Sequence, residues 1–247
     1  YVDLPGGLRM TLVEKGIPQK VILSQVIDDS YFQEHGELAL PPYIQKARNQ
    51  RRNQREDSSW YQTQWAEKLG SCAAPTASLH FTTTDLDSLK SMGVGVEKIT
   101  LHVGLGTFLP IKSNSLSDHQ MHKEYCEISR SVIEKVEACK KAGKKVFALG
   151  STVARAIESF YAGKLEPRSL RLYKPDATTG SVVLEDHENF VGETDLYIKP
   201  GFQFKGVDVL MTNFHQPQST LLAMVGAFTQ LNLVKEAYYW AIQKNFR

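Results

Sequence analysis

Five short segments of this 247-residue chain gather histidines, hydroxyls and small residues more densely than packing requires. In Ala73-Ala74-Pro75-Thr76-Ala77-Ser78-Leu79-His80-Phe81-Thr82, small side chains around a proline let backbone approach a ligand closely, and His80 can donate or accept a proton. A histidine that only caps a strand or turn would leave the same pattern. Leu101-His102-Val103-Gly104-Leu105-Gly106-Thr107-Phe108 reads as a strand ending in Gly-x-Gly, whose exposed N–H groups suit a phosphate, a carboxylate or a ribose. It lacks the third glycine and the following helix of a dinucleotide fingerprint. Asp118-His119-Gln120-Met121-His122-Lys123-Glu124 places two histidines three apart beside an acid. That spacing suits a proton relay or two metal ligands, or it ties a loop to the body.

The remaining two segments are strand-to-helix junctions. In Ala148-Leu149-Gly150-Ser151-Thr152-Val153-Ala154-Arg155 the helix start offers unpaired N–H groups and a partial positive charge, so Ser151 and Thr152 stand where an anion would dock or where they simply cap the helix. In Leu210-Met211-Thr212-Asn213-Phe214-His215-Gln216-Pro217-Gln218-Ser219-Thr220, Asn213 and His215 are the polar readers and Ser219 or Thr220 is the cap. Strand ends that feed helix starts are where α/β sheets generally bind ligands.

The elements that must hold these segments are legible from periodicity. Residues 8–13 and 20–27 read as strands separated by Gly16 and Pro18, and 38–44, with Pro41-Pro42, as an extended connection. Lys46, Arg48, Arg51, Arg52 and Arg55 precede the first acid, Glu56, in a basic stretch that is either a phosphate contact or a solvated loop. Helices are expected at 61–68, at 85–91 with Thr84 as N-cap, and after Ser129. In the last of these, Val132, Ile133, Val136 and Cys139 form one stripe and Gly143 the stop. Further strands are expected at 98–103, 145–149, 181–184, 196–198 and 207–211. Helices are expected from Ser151 to Ala162, at 219–228 and at 234–244. The alternation predicts an α/β sheet body at 46–247, preceded by a small β unit at 1–45.

Hydrophobic residues at 42% and charged residues at 23% exclude a disordered or fibrous chain, and no apolar run approaches the ~18 residues that would cross a membrane. The net charge of +2 neither demands nor excludes nucleic acid. Cys72, Cys126 and Cys139 are odd in number, lack metal-like spacing and fit a reducing cytoplasm. Tyr1 is not a natural start and Asn245-Phe246-Arg247 carries no helix stop, so a longer protein is expected.

Taken together, Pro41-Pro42-Tyr43-Ile44, Tyr61-Gln62-Thr63, the Ala74–Phe81 stretch and residues 101–108 resemble one family. So do His119-x-x-His122-x-Glu124, residues 150–155 with Glu158-Ser159, Pro200-Gly201-Phe202, and Thr212-Asn213-Phe214-His215-x-Pro217-x-Ser219-Thr220. That family is the S-adenosylmethionine:tRNA ribosyltransferase-isomerases of queuosine biosynthesis. The resemblance implies an α/β/α sandwich body joined to a small β-barrel only partly present here, with further chain at both ends. It implies S-adenosylmethionine as co-substrate, no metal, and a cytoplasmic, monomeric protein that binds no membrane. The other substrate is a tRNA bearing 7-aminomethyl-7-deazaguanine, which becomes epoxyqueuosine as adenine and methionine leave.

For the chemistry that the resemblance implies, the titratable residues offer His122 or Glu124 as the base, with His80 as the main competitor. Substrate contacts fall to Thr76, His102, Gly104, Gly106, Thr107, Ser151, Thr152, Arg155, Asn213, His215, Ser219 and Thr220. The charge run of Lys46, Arg48, Arg51, Arg52 and Arg55, read from this sequence itself, is expected to supply the tRNA phosphate contacts. The chain departs from the family at Val153, where a hydroxyl is usual, and at Ser78, where glycine is usual. Its 46–55 loop is more basic than usual, and 170–187 reads as an insertion. An RNA methyltransferase would need a glycine-rich first strand–helix turn followed by an acid, which the sequence lacks. A binding module built on the basic stretch would leave the five segments unexplained.

Overall fold

The structure, a computed structural model, describes residues 1–16, 19–36, 38, 40–41, 44–45, 56–68, 70–104, 110–111, 113, 115–175 and 182–246. The described chain forms two compact units, Tyr1–Tyr61 and Gln62–Arg247. Unit 1 is an antiparallel sheet of β1 (Val2–Asp3), β2 (Arg9–Glu14) and β3 (Lys20–Leu23), with Met10 facing Leu23. Helix α1 (Asp29–His35) follows, its Asp28 cap accepting from the Tyr31 N–H at 3.2 Å, and a short α2 (Asp57–Trp60) ends the unit. Among the described residues these strands do not close into a barrel.

Among its described residues, unit 2 is mixed α/β with two sheets. One is antiparallel, in the order β4 (Thr100–His102), β5 (Glu124–Ser129), β8 (Val182–Thr194), β7 (Glu166–Pro175). The other is a parallel pair, β6 (Phe147–Leu149) and β9 (Val209–Met211). Its helices are α3 (Thr83–Ser91), α4 (Arg130–Lys141), α5 (Ser151–Tyr161), α6 (Thr220–Phe228) and α7 (Leu231–Gln243). The stripe expected after Ser129 is the buried side of α4, which lies against β5 and β8: Val132, Ile133 and Val136 are buried and Cys139 half-buried.

Helix α5 is the centre of the unit. It contacts both sheets, touching β4, β5 and β8 on one and β6 and β9 on the other. A helix enclosed in this way cannot keep a solvated polar face, and Ser151, Ala154, Arg155, Ala156, Ile157, Glu158 and Ser159 are all buried. Each buried polar side chain therefore needs a protein partner. Glu158 accepts from the backbone N–H groups of Lys205, Gly206 and Val207 at 2.9, 2.8 and 2.8 Å. Ser159 donates to the Arg155 carbonyl at 2.7 Å and meets the Thr194 hydroxyl at 2.5 Å. Arg155 pairs with Glu124 on β5.

Several expectations shift for local reasons. Residues 61–68 form turns rather than a helix; Gln62 Oε1 accepts from the Thr63 N–H at 2.9 Å, and Gln64 Oε1 reaches out of the segment to the Thr83 N–H at 3.0 Å. The cap of α3 is Thr82, in a reciprocal capping box with Asp85, and not Thr84. Residues 196–198 carry no strand; Thr194 Oγ1 accepts from the Leu196 N–H at 3.2 Å and ends the ladder of β8. The expected strand at 181–184 is part of the longer β8, apart from Ser181, which lies outside the described residues.

Candidate active site

The five segments are linked to one another inside unit 2. Parallel pairing aligns β6 and β9 from Phe147–Val209 to Leu149–Met211, so both strands end on the same edge. Both then run into helices, β6 through Gly150 into α5 and β9 through residues 212–219 into α6. The Gly150 N–H donates to the Met211 carbonyl at 2.8 Å, joining the fourth and fifth segments. Gly150 stands at φ +107°, a conformation that favours glycine, and a Cβ there would sit 3.9 Å from the Ala77 Cβ. The first segment therefore packs beside the same turn.

The antiparallel sheet brings the other two together. His102, at the end of β4, faces Tyr125 near the start of β5, with their rings 5.8 Å apart. The Gly104 N–H donates to Glu124 Oε1 at 3.3 Å. Along β5, Glu124, Cys126 and Ile128 alternate with more exposed neighbours, so the carboxylate lies on the core side of the strand. Its partner is Arg155, and both side chains are at most 2% exposed. This ion pair ties the second and third segments to the fourth. Burial pushes the Arg155 guanidinium towards a lower pKa, and the Glu124 charge opposes that push. The neighbouring Cys126 thiol is driven up to about 12 by burial and is chemically quiet.

A small cavity of about 10 Å³ lies among Met121, Arg155, Tyr197 and Thr220, side chains of the third, fourth and fifth segments and of the 196–198 stretch, with Met224 of α6 completing its wall. That is room for about one water molecule. It is a packing joint and not a pocket for a nucleoside. Arg155 Nε and Nη1 and Tyr197 Oη are buried without a hydrogen-bond partner among the described residues. His119 stacks edge-on against Tyr197, ring centroids 5.5 Å apart, and its pKa is lowered, first by burial and then by His122. Among the described residues no group of three or more histidine, cysteine or carboxylate side chains could hold a metal ion.

The individual candidates differ in access. His80 is exposed, while Thr76, His102, Gly104, His122, Thr152, Asn213, His215 and Ser219 are half-buried. Ser151 and Thr220 are buried at 8% exposure each, and Ser219 accepts from the Leu222 N–H at 3.1 Å as the cap of α6. His215 Nε2 lies 3.0 Å from the Thr212 hydroxyl, and its backbone N–H donates to Tyr238 Oη at 2.7 Å. Gly106, Thr107, Lys46, Arg48, Arg51, Arg52 and Arg55 lie outside the described residues. Two contributors carry no signal in the motif reading. Tyr197 belongs to a stretch read only as a strand. Tyr238 lies between the buried Val234 and Ala241 on α7, and its i, i+4, i+7 spacing could have placed it on the inward stripe.

Two outcomes follow from this geometry. Glu124→Gln leaves a buried guanidinium without its counter-charge and should cost about 3–5 kcal/mol, whereas Glu124→Gln combined with Arg155→Met should recover part of the loss. Chemical denaturation of the parent protein and the two variants checks this. Burial lowers the pKa of His215 to about 4. The unfolded chain then binds a proton near the ordinary histidine value while the folded chain does not. The His215 share of stability is therefore complete above about 6.5 and is lost as pH falls towards 4. An NMR titration of the His215 ring should give a midpoint near 4, and a midpoint near 6.5 would contradict the burial.

Comparison with known proteins places the chain. A family model described as "Queuosine biosynthesis protein" matches residues 3–247. An S-adenosylmethionine:tRNA ribosyltransferase-isomerase from Thermodesulfovibrio yellowstonii is 47% identical over 214 residues, 87% of this chain and 56% of that protein. The enzyme of the same name from Halothermothrix orenii is 42% identical over 219 residues, 89% of this chain and 56% of that protein. A crystal structure of an S-adenosylmethionine tRNA ribosyltransferase from Thermotoga maritima aligns with a TM-score of 0.48 at 32% identity, covering 68% of this chain and 46% of that one. The chain thus spans a little over half the length of the curated relatives it matches. With a model match over nearly its whole length, the chain belongs to the queuosine biosynthesis protein family.

Proposed function

We propose that the protein carrying this chain transfers and isomerises the ribosyl part of S-adenosylmethionine onto 7-aminomethyl-7-deazaguanine at the wobble position of a tRNA, releasing adenine and methionine. The observation that carries this reading is the Glu124–Arg155 pair. In a chain of this family, it fastens the His119–Glu124 segment to the strand–helix turn at Gly150. The positively charged sulfur of the co-substrate acidifies the adjoining C5′–H, so a side-chain base can remove that proton without a metal. The C5′–S bond later breaks with its electron pair on sulfur, giving methionine. Adenine leaves with the electrons of its glycosidic bond and needs a proton.

Within this reading His122 is the base, being half-buried, two positions before the fixed Glu124 and close enough to His119 to lower its pKa. His80, exposed on the turn after Thr76–Ser78, is its competitor or the proton donor. Glu124 would have to give up its ion pair to accept a proton, so we assign it to positioning, together with Arg155. The helix starts at Ser151-Thr152 and Ser219-Thr220 suit the methionine carboxylate and ribose hydroxyls. Thr76, His102, Gly104, Gly106, Thr107, Asn213 and His215 recognise base and sugar. Lys46, Arg48, Arg51, Arg52 and Arg55 contact tRNA phosphates, which makes binding salt-dependent. The protein acts as a cytoplasmic monomer. In this reading unit 2 belongs to an α/β/α sandwich body, and the strands of unit 1 belong to a small β-barrel.

Product analysis tests the reading. The protein, S-adenosylmethionine and the modified tRNA should yield free adenine and methionine in equal amounts, whereas S-adenosylhomocysteine would show methyl transfer instead. His122→Asn should slow single-turnover adenine release by about 10²–10⁴-fold while both substrates still bind, because a base acts in the transition state. Release at the parent rate would remove His122 from the mechanism.

A further inference from the structure

The turn from Thr212 to Ser219 carries Asn213 and His215, and the way it is held comes from outside the motif. The His215 backbone N–H donates to Tyr238 Oη at 2.7 Å, a partner 23 positions further along the chain. The Tyr238 ring meets Phe214 edge-on, with centroids 4.9 Å apart and planes at 90°. Two successive residues of the turn are therefore gripped by one side chain. That side chain sits on the inward stripe of α7, between the buried Val234 and Ala241, so its own position is fixed by packing. On the far side, the Thr212 hydroxyl lies 3.0 Å from His215 Nε2 and closes the turn.

We propose that Tyr238 is a positioning residue of the transfer site: its phenol oxygen sets the His215 backbone, and through it the imidazole, while its ring seats Phe214. This rests on the reading of His215 as a substrate-recognition residue. The chemistry is specific to tyrosine. Phenylalanine keeps the ring contact and removes only the acceptor, leaving a half-buried N–H without a partner. Tyr238 acts through His215, so its effect should vanish once His215 no longer recognises substrate.

The experiment compares the parent protein, Tyr238→Phe, His215→Asn and the double variant. Each is assayed for adenine release from S-adenosylmethionine with the modified tRNA, and each is followed by amide exchange across residues 212–216. Tyr238→Phe should raise KM for S-adenosylmethionine about tenfold, the size expected for one lost hydrogen bond, with kcat within about twofold of the parent. The His215 amide should exchange faster. His215→Asn should be the more damaging single change, and the double variant should be no worse than His215→Asn alone.

Additive losses in the double variant would overturn the proposal, because Tyr238 would then act by general stability. An unchanged KM and unchanged His215 exchange in Tyr238→Phe would overturn it as well, while an impaired His215→Asn variant kept the site reading intact. Full activity in His215→Asn would remove the recognition role of the turn and the positioning role with it.

Discussion

A carboxylate on the buried face of a strand cannot stand alone, and in this protein that constraint organises the site. Glu124 falls in the inward series of β5 with Cys126 and Ile128, where a charge without a partner would be strongly destabilising. Its counter-charge comes from the middle of α5, a helix enclosed by both sheets. The pair does not have to stabilise the fold more than a hydrophobic contact would. What it supplies is registration: only one placement of α5 against β5 puts Arg155 on Glu124. Buried ion pairs can serve in this way where specificity matters more than raw stability.

Everything proposed for catalysis hangs from that registration. With α5 fixed, Gly150 is placed at its start, and the Gly150–Met211 hydrogen bond carries the placement to β9 and the turn at 212–219. With β5 fixed, its first residue reaches the Gly104 N–H and sets the end of β4. Other buried polar ties act along the same helix. Glu158 gathers three backbone N–H groups of residues 205–207, and Ser159 reaches Thr194 at the end of β8. The residues proposed for recognition thus ride on short turns whose ends are tied to rigid elements. This arrangement allows precise placement while most of the proposed ligand-facing groups stay half-buried, with Ser151 and Thr220 buried.

Elements governed by local chemistry were the legible ones. The stripe of α4 and the Ser219 cap of α6 follow from periodicity and capping alone, as does the mixed α/β class, whereas the helix expected at Ser151 is preceded by Gly150, which supplies no side-chain cap, so neither Ser151 nor Thr152 caps it. Where a threonine side chain competes for a backbone group, periodicity misleads, as at 196–198. The candidate residues could be picked from the sequence because their types are chemically expressive. Their relations could not: nothing in the motif around His122 indicates that Glu124 looks inward to Arg155, nor that a tyrosine on the last helix holds His215. Such pairings depend on long-range register, which a linear pattern does not encode.

Five segments, distant in sequence, are proposed to form one ligand site through the Glu124–Arg155 frame. Hydrogen–deuterium exchange of the protein with and without S-adenosylmethionine tests it most directly. The account predicts slower exchange at residues 76–80, 101–104, 119–124, 150–152 and 212–220 together, and its loss from all of them in Glu124→Gln under conditions where the variant remains folded. Protection confined to one segment, or protection that survives unchanged in folded Glu124→Gln, would contradict it.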